Sequence, residues 1–384
     1  MNAFIYDAVR TVRGKARPDG GLASLMPEEL VAAAVSGIAE RMKARPPVDV
    51  LIVGAVGQVG TQGGNIALVS KFQAGLSDGT SAFSINNYCA SGLTAVGQAA
   101  SMVSAGSCRS AMAGGVEMMS RVPFMADQAD YYTNSALPAK ARYLPVALAA
   151  DRLAEDAGVT REEMDEAALR SQQRTADAEG TGLVASRLAV NGLERDECPR
   201  LLPAEKLASL EPAFAALAEH YREVLGRQVD HRHTVAHAPP MCDGAALALV
   251  GVEGLLESAP RARIVAFAEA GGDPAASLTA GLTAMDRVLS QTGLTLGQVD
   301  RIEYMEAFAV SVVRFLTERN PDPDKVNVGG GSLAKGHPMG ASGAILLSSL
   351  LDALDVADGR YGLVVMTGAA GVGSAMVVER IGDR

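Results

Sequence analysis

Two short segments hold the residues best suited to covalent chemistry. The first is Asn86-Asn87-Tyr88-Cys89-Ala90-Ser91-Gly92. The pattern predicts a strand that ends near Asn86 and a helix that begins near Ala90, so Cys89 falls at a helix N-terminus. Unpaired N–H groups and the helix dipole favour a thiolate there, and small neighbours leave room for a substrate. A buried, inert thiol fits the same residues. The second segment runs from Gly329 to Gly343 and reads GGGSLAKGHPMGASG. His337 lies just before its helix start, and the glycines let backbone approach a ligand. A histidine capping its own turn is the plain alternative. A phosphate-binding loop is disfavoured, because neither GK[ST] nor a strand–GxGxxG–helix unit is present. A cysteine and a histidine that face one another would form a thiolate–imidazolium pair.

Two further groups carry titratable side chains. His231, His233, His237 and Cys242 form an HxHxxxH cluster, but the spacing matches no zinc motif and no metal is expected. Glu306 sits in the apolar stretch Tyr304–Ala309. A carboxylate there either needs buried partners or stabilises a helix N-terminus.

The elements that position these residues alternate in type. Ala3–Tyr6, Val50–Val53, Ser81–Ile85 and Arg109–Ala113 read as strands, separated by helical patterns at Pro27–Lys43, Asn65–Gly75 and Ala90–Ala105. Arg263–Ala268, Arg301–Met305, Val326–Val328 and Gly362–Thr367 read as strands again, with helices at Ala280–Gly293, Val310–Asn320 and Ala341–Ala353. Such alternation predicts an α/β layer with a mostly parallel sheet. The halves resemble copies: Val-Asp at 48–49 recurs at 299–300, and Ala-Ser-Gly at 90–92 recurs at 341–343, a constant spacing of 251 residues. Chance matching in a Gly- and Ala-rich chain is the alternative. The expected organisation is a first half over 1–117 with a return segment at about 243–260, an insertion over 118–242, and a second half over 261–384. The insertion is richer in charge, with helices expected at Leu148–Ala157, Arg161–Ala178 and Pro203–Ala218.

Composition narrows the function classes. At about 150 residues per domain, 384 residues suggest two or three domains. The net charge of −10 argues against broad binding to nucleic acid, as does an aromatic content of only 4%. Mean hydropathy is +0.14, and no apolar run reaches the ~18 residues of a membrane helix. Cys89, Cys108, Cys198 and Cys242 are scattered without a CxxC pair, and the N-terminus has no secretion-signal pattern. A reducing cytoplasm is the expected compartment.

Taken together, the motifs resemble the thiolase family, the acetyl-CoA C-acyltransferases, over nearly the whole chain. The resemblance rests on Asp7–Thr11, Gly14-Lys15, Asn86–Gly92, Gly114–Ser120, Asp243–Ala246, Glu306–Ala309 and Gly336–Gly343. It implies a duplicated five-layered αβαβα fold with an inserted loop domain, assembled as a homodimer or homotetramer. It also implies ping-pong acyl transfer. Cys89 attacks a β-ketoacyl-CoA, His337 takes its proton, and backbone N–H groups of Cys89 and Ala369 hold an oxyanion. Coenzyme A enters as substrate, with no bound cofactor. Arg200, His237, Pro239, Ala307 and Phe308 match positions that contact it.

Three positions depart from the family pattern. Met305 stands where an Asn usually holds a water in the thioester oxyanion hole. Thr367 stands where a second cysteine moves the proton at the substrate α-carbon. His237-Ala238-Pro239 replaces an Asn-x-Ser. Losing an oxyanion donor costs about 10²–10³ in rate, and losing a positioned acid–base group about 10²–10⁴. His237 and Glu306 are the candidate substitutes. The alternatives to thiolysis are a thiolase-fold acyltransferase or hydrolase that makes no carbon–carbon bond, and a weakly catalytic thioester-binding protein.

Overall fold

The computed structural model describes residues 2–382. The first part of the chain forms β1 (Ala3–Thr11), β2 (Gly14–Lys15), α1 (Pro27–Met42), β3 (Val50–Gly54), α2 (Ile66–Gln73), β4 (Ser81–Ile85), α3 (Ser91–Ser104) and β5 (Ser110–Met118). There follow α4 (Val146–Asp156), α5 (Arg161–Ala178), β6 (Arg187–Leu188), α6 (Ala204–Ala208), α7 (Arg222–Leu225) and the return strand β7 (Cys242–Gly251). The last part forms β8 (Ala262–Gly271), α8 (Ala280–Thr292), β9 (Arg301–Tyr304), α9 (Ala309–Arg319), α10 (Ser332–Lys335), α11 (Ser342–Ala357), β10 (Tyr361–Thr367) and β11 (Val372–Arg380).

The strands join in the order β4-β3-β5-β7-β1-β8-β11-β10-β9, with the two halves meeting where β1 runs antiparallel to β8. Read outward from that seam, both halves place their strands in the same order. On one side β1, β7, β5, β3 and β4 follow one another; on the other, β8, β11, β10 and β9. The duplication extends to hydrogen bonds. Asp49 accepts from the backbone N–H groups of Arg109 and Ser110, and Asp300, 251 residues on, accepts from those of Arg360 and Tyr361.

The expected strand at Val326–Val328 is reduced to one bridge, Ile302 to Val326. Asn327 explains this. It adopts a left-handed φ of 47°, and its side chain takes over the ladder, accepting from Tyr304 N–H and donating to Tyr304 O. The helix expected over Pro203–Ala218 is also corrected. It stops at Ala208, because Pro212 lacks the N–H a helix needs and forces the preceding residue extended.

One helical span has the length and mean hydropathy of a membrane helix without being an uninterrupted apolar run. The helical span Met339–Ala357 is long and apolar enough, by length and composition, to cross a membrane. It is 83% buried and packs against α3 and the strands of both halves. Its two carboxylates explain how such a helix sits in a protein core: Asp352 and Asp355 both pair with Arg261, at 3.1 and 2.7 Å. Two residues of the Asp7–Thr11 motif are likewise scaffold. Asp7 pairs with Arg41 and Arg261, and Arg10 makes a bidentate pair with Asp196.

Candidate active site

Cys89 is held on a tight turn between β4 and α3. Asn86 Oδ1 accepts from Tyr88 N–H, and Ser91 Oγ accepts from Asn87 N–H while donating to Tyr88 O. These bonds hold Tyr88 at a φ of 45°, a conformation unusual for a side-chain-bearing residue. The strained turn lifts Cys89 off the strand end, one residue before the N-cap Ala90. Its thiol faces Gly368, where a Cβ would lie 3.2 Å from the sulfur. The N–H groups of Ala369 and of Cys89 itself point at that sulfur. Burial nevertheless dominates and pushes the thiol up to about 11, with the Glu117 carboxylate adding to the rise.

His337 lies in the second half, just ahead of α11. Its backbone N–H donates to Pro240 O at 2.9 Å, and its Nδ1 lies 2.6 Å from Ser342 Oγ. Burial, with Arg13 nearby, holds the imidazole down at about 3. Its Nε2 is buried without a partner, and so is the Thr367 hydroxyl at the end of β10. An orphaned buried polar atom is costly, and a ligand is one way to satisfy it.

The repeat brings the two helix starts together. Gly92 and Gly343, equivalent residues of α3 and α11, sit in the crossing of the two helix starts. A Cβ on Gly92 would lie 2.7 Å from Gly340 O, and one on Gly343 would lie 2.5 Å from Leu93 N. Glu117 locks the crossing. Its carboxylate accepts from the N–H groups of Val56, Gly57 and Gly340 and from Gln62 Nε2. Burial works against the expected thiolate–imidazolium pair, raising the thiol and lowering the imidazole toward the neutral form of each. A neutral imidazole with a free Nε2 is a base ready to accept a proton.

The other candidate residues are arranged differently. Met305 is buried, and the hydroxyl of Ser332 donates to its sulfur at 3.6 Å. Glu306 has both oxygens occupied: Asn327 and Ser171 donate side-chain bonds, and Leu333 donates its N–H. It therefore braces the loop ahead of His337. His237 is equally committed. Its Nδ1 accepts from Thr234 N–H and its Nε2 lies 2.7 Å from Asp165. Burial holds it at about 4 in spite of that carboxylate. His231 and His233 both turn to Asp151, so the three imidazoles face two carboxylates instead of a common centre. The carbonyl of His237 accepts Ala309 N–H, which brings the 237–239 turn beside Ala307 and Phe308. Phe308 packs edge-on to Phe214 and His233. Arg200 is exposed on the loop before α6, and Pro239 is half-buried.

Residues 3–252 match the thiolase N-terminal domain and residues 258–380 the thiolase C-terminal domain. The chain belongs to the thiolase family. It is 34% identical to an acetyl-CoA acetyltransferase of Escherichia coli, with 99% of each chain covered. It is 33% identical to a steroid 3-ketoacyl-CoA thiolase of Mycobacterium tuberculosis, covering 99% of this chain and 94% of that one. A β-ketoadipyl-CoA thiolase of Acinetobacter baylyi is 32% identical over 99% of this chain and all of its own length. The crystal structure of an acetyl-CoA acetyltransferase from Bacillus anthracis superposes with a TM-score of 0.87 at 28% identity, covering 99% of both chains. The protein is thus an acyltransferase with the thiolase fold.

In this thiolase, sequence reasoning passed over Glu117 and Ser332 as parts of the site. Glu117 had a readable signal, a lone carboxylate within the apolar strand Ser110–Met118. Ser332 had none, since its contact with Met305 joins residues 27 apart in the chain.

Proposed function

We propose that this thiolase cleaves a β-ketoacyl-CoA with CoA through an acyl-Cys89 intermediate. The observation that carries the reading is the crossing of α3 and α11. It sets Cys89 on one helix start and His337, with an unpartnered Nε2, ahead of the other. With Nδ1–H donated to Ser342, Nε2 accepts the Cys89 proton as the sulfur attacks the ketone carbon. The N–H groups of Cys89 and Ala369 receive the negative oxygen. The bond between the α- and β-carbons then breaks, acetyl-CoA leaves after protonation at its α-carbon, and CoA takes the acyl group from sulfur. Thr367, its hydroxyl unpartnered at the end of β10, is the side chain offered for the α-carbon proton. His237 and Glu306 are not, because other partners hold them. The named relatives favour carbon–carbon cleavage over plain acyl transfer or hydrolysis.

Coenzyme A would lie along the 237–239 turn and Ala307-Phe308, with Arg200 near its nucleotide end. A second copy is the partner proposed for the open edge at β4, beside which α2 exposes Leu68, Val69 and Phe72. Phe72→Glu should then lower the mass read by light scattering, and an unchanged mass would reject this interface.

The deciding experiment is mass spectrometry of the protein mixed with acetoacetyl-CoA and CoA. Two acetyl-CoA formed per acetoacetyl-CoA, with an acyl adduct on Cys89, is the expected result. An adduct without carbon–carbon cleavage would overturn thiolysis.

A further inference from the structure

Tyrosines are concentrated around the nucleophile. Four of the chain's eight, Tyr131, Tyr132, Tyr143 and Tyr221, form one set of ring contacts with Phe124, and a fifth, Tyr88, packs in the same apolar cluster as Phe124. Tyr143 is the centre of the ring set. The ring is only 3% exposed, with centroids of Tyr132, Tyr131, Tyr221 and Phe124 at 5.1, 6.1, 6.3 and 6.4 Å. The first three contacts are edge-on, the favourable arrangement for aromatic pairs.

The set adjoins the catalytic residues. Tyr88 immediately precedes Cys89, and Met339 lies two residues beyond His337. Tyr88, Met339 and Phe124 pack in the same small apolar cluster, and Phe124 in turn touches Tyr143. Burial raises the Tyr143 hydroxyl above its ordinary range, and the neighbouring tyrosines and Cys89 add to this, so the ring stays neutral. Tyr143 also lines a cleft of about 300 Å³ together with Tyr131, Tyr132 and Tyr221. That volume is ample for further acyl carbons, since ~150 Å³ accommodates benzene. Arg142 and His220 both line this cleft. The Arg142 guanidinium is bonded to Glu223 and to the carbonyls of Ser135 and Leu137.

We propose that Tyr143 sets acyl length in this enzyme: its ring walls off the cleft from Cys89 and restricts the acyl site to short β-ketoacyl groups. The inference rests on the thiolase reading above. Four ring contacts hold the wall in place, so an incoming chain cannot displace it without breaking them. Replacing the ring by a small side chain joins the acyl site to the cleft.

The test is thiolysis of acetoacetyl-CoA and 3-oxooctanoyl-CoA by wild type, Tyr143→Ala, Tyr143→Leu and Tyr143→Phe. Wild type should favour acetoacetyl-CoA in kcat/KM. Tyr143→Ala should move the ratio toward 3-oxooctanoyl-CoA by about 10–100-fold, the range of one or two misfitted methylenes. Tyr143→Leu, which fills more of the space should the Ala variant fold poorly, should move it in the same direction by less. Tyr143→Phe keeps the ring and should keep the preference. Equal turnover of both substrates by wild type, or an unchanged ratio in both the Ala and Leu variants, overturns the proposal. Cleavage of neither substrate by wild type overturns the thiolase reading and the proposal with it, whereas good acetoacetyl-CoA turnover with an unmoved ratio overturns the proposal alone.

Discussion

The resting state of Cys89 can be measured without substrate. Burial places the thiol at about 11 and the His337 imidazole at about 3. Burial therefore favours the neutral thiol and the neutral imidazole over the charged pair. At pH 7 the thiolate fraction is about 10⁻⁴, against about 10⁻² for a thiol at the ordinary value of 9.0. Alkylation by iodoacetamide requires thiolate, so its rate follows this fraction. Burial slows reagent entry equally at every pH and leaves the slope untouched. The expected result, read by peptide mapping of the Cys89 adduct, is a tenfold rise in rate per unit between pH 6 and pH 10 with no levelling. A rate that has already levelled below pH 8 would refute the reasoning, because it would reveal a thiolate stabilised by imidazolium. If the neutral pair holds, proton transfer to His337 accompanies attack on the substrate.

Two further perturbations probe the chemistry and the scaffold. Thr367→Cys should raise kcat for acetoacetyl-CoA thiolysis by at least about tenfold, since a thiol is a far better acid–base than a hydroxyl near neutral pH; steady-state kinetics showing no gain would mean that Thr367 is not where the carbon-bound proton moves. Asp196→Asn should destabilise the fold by about 3–5 kcal/mol, because it strands Arg10 beside a neutral partner in the interior. Burial works against ionisation of Asp196, but Arg10 and Arg13 overcome it and hold the carboxyl well below its usual range. Its contribution is therefore complete above the unfolded-state value of ~3.9 and is lost as the pH falls below that. Denaturant melts at pH 7 and pH 3 should show a smaller gap between variant and wild type at the lower pH.

The parts of this molecule that were legible in sequence are those governed by local rules or by the repeat. The position of Cys89 ahead of α3 followed from a strand pattern meeting a helix pattern within a few residues. The relation of His337 to it followed from the 251-residue spacing, which the structure turns into a crossing of equivalent glycines. What could not be read depended on partners distant in the chain. His237 looked available for catalysis until Asp165, 72 residues away on α5, was found bonded to it. Glu306 looked similar until Ser171 and Asn327 were seen to occupy its oxygens. Asn327 dissolved an expected strand by a side-chain substitution that no hydrophobic pattern reveals. Depth of burial at Cys89, invisible in sequence, works against the thiolate that a helix terminus favours.

The strand order also constrains how the chain is made. β7 lies between β5 and β1, yet 123 residues separate the end of β5 from the start of β7. A ribosome adding ~5–20 residues per second needs about 6–25 s to cross that interval. Throughout it β1 and β5 are both present without the strand that separates them in the finished sheet. The nascent chain is therefore exposed to mispairing and to chaperone capture well before the second half exists. Synonymous changes that slow translation within this interval should reduce soluble yield more than the same changes placed after residue 251.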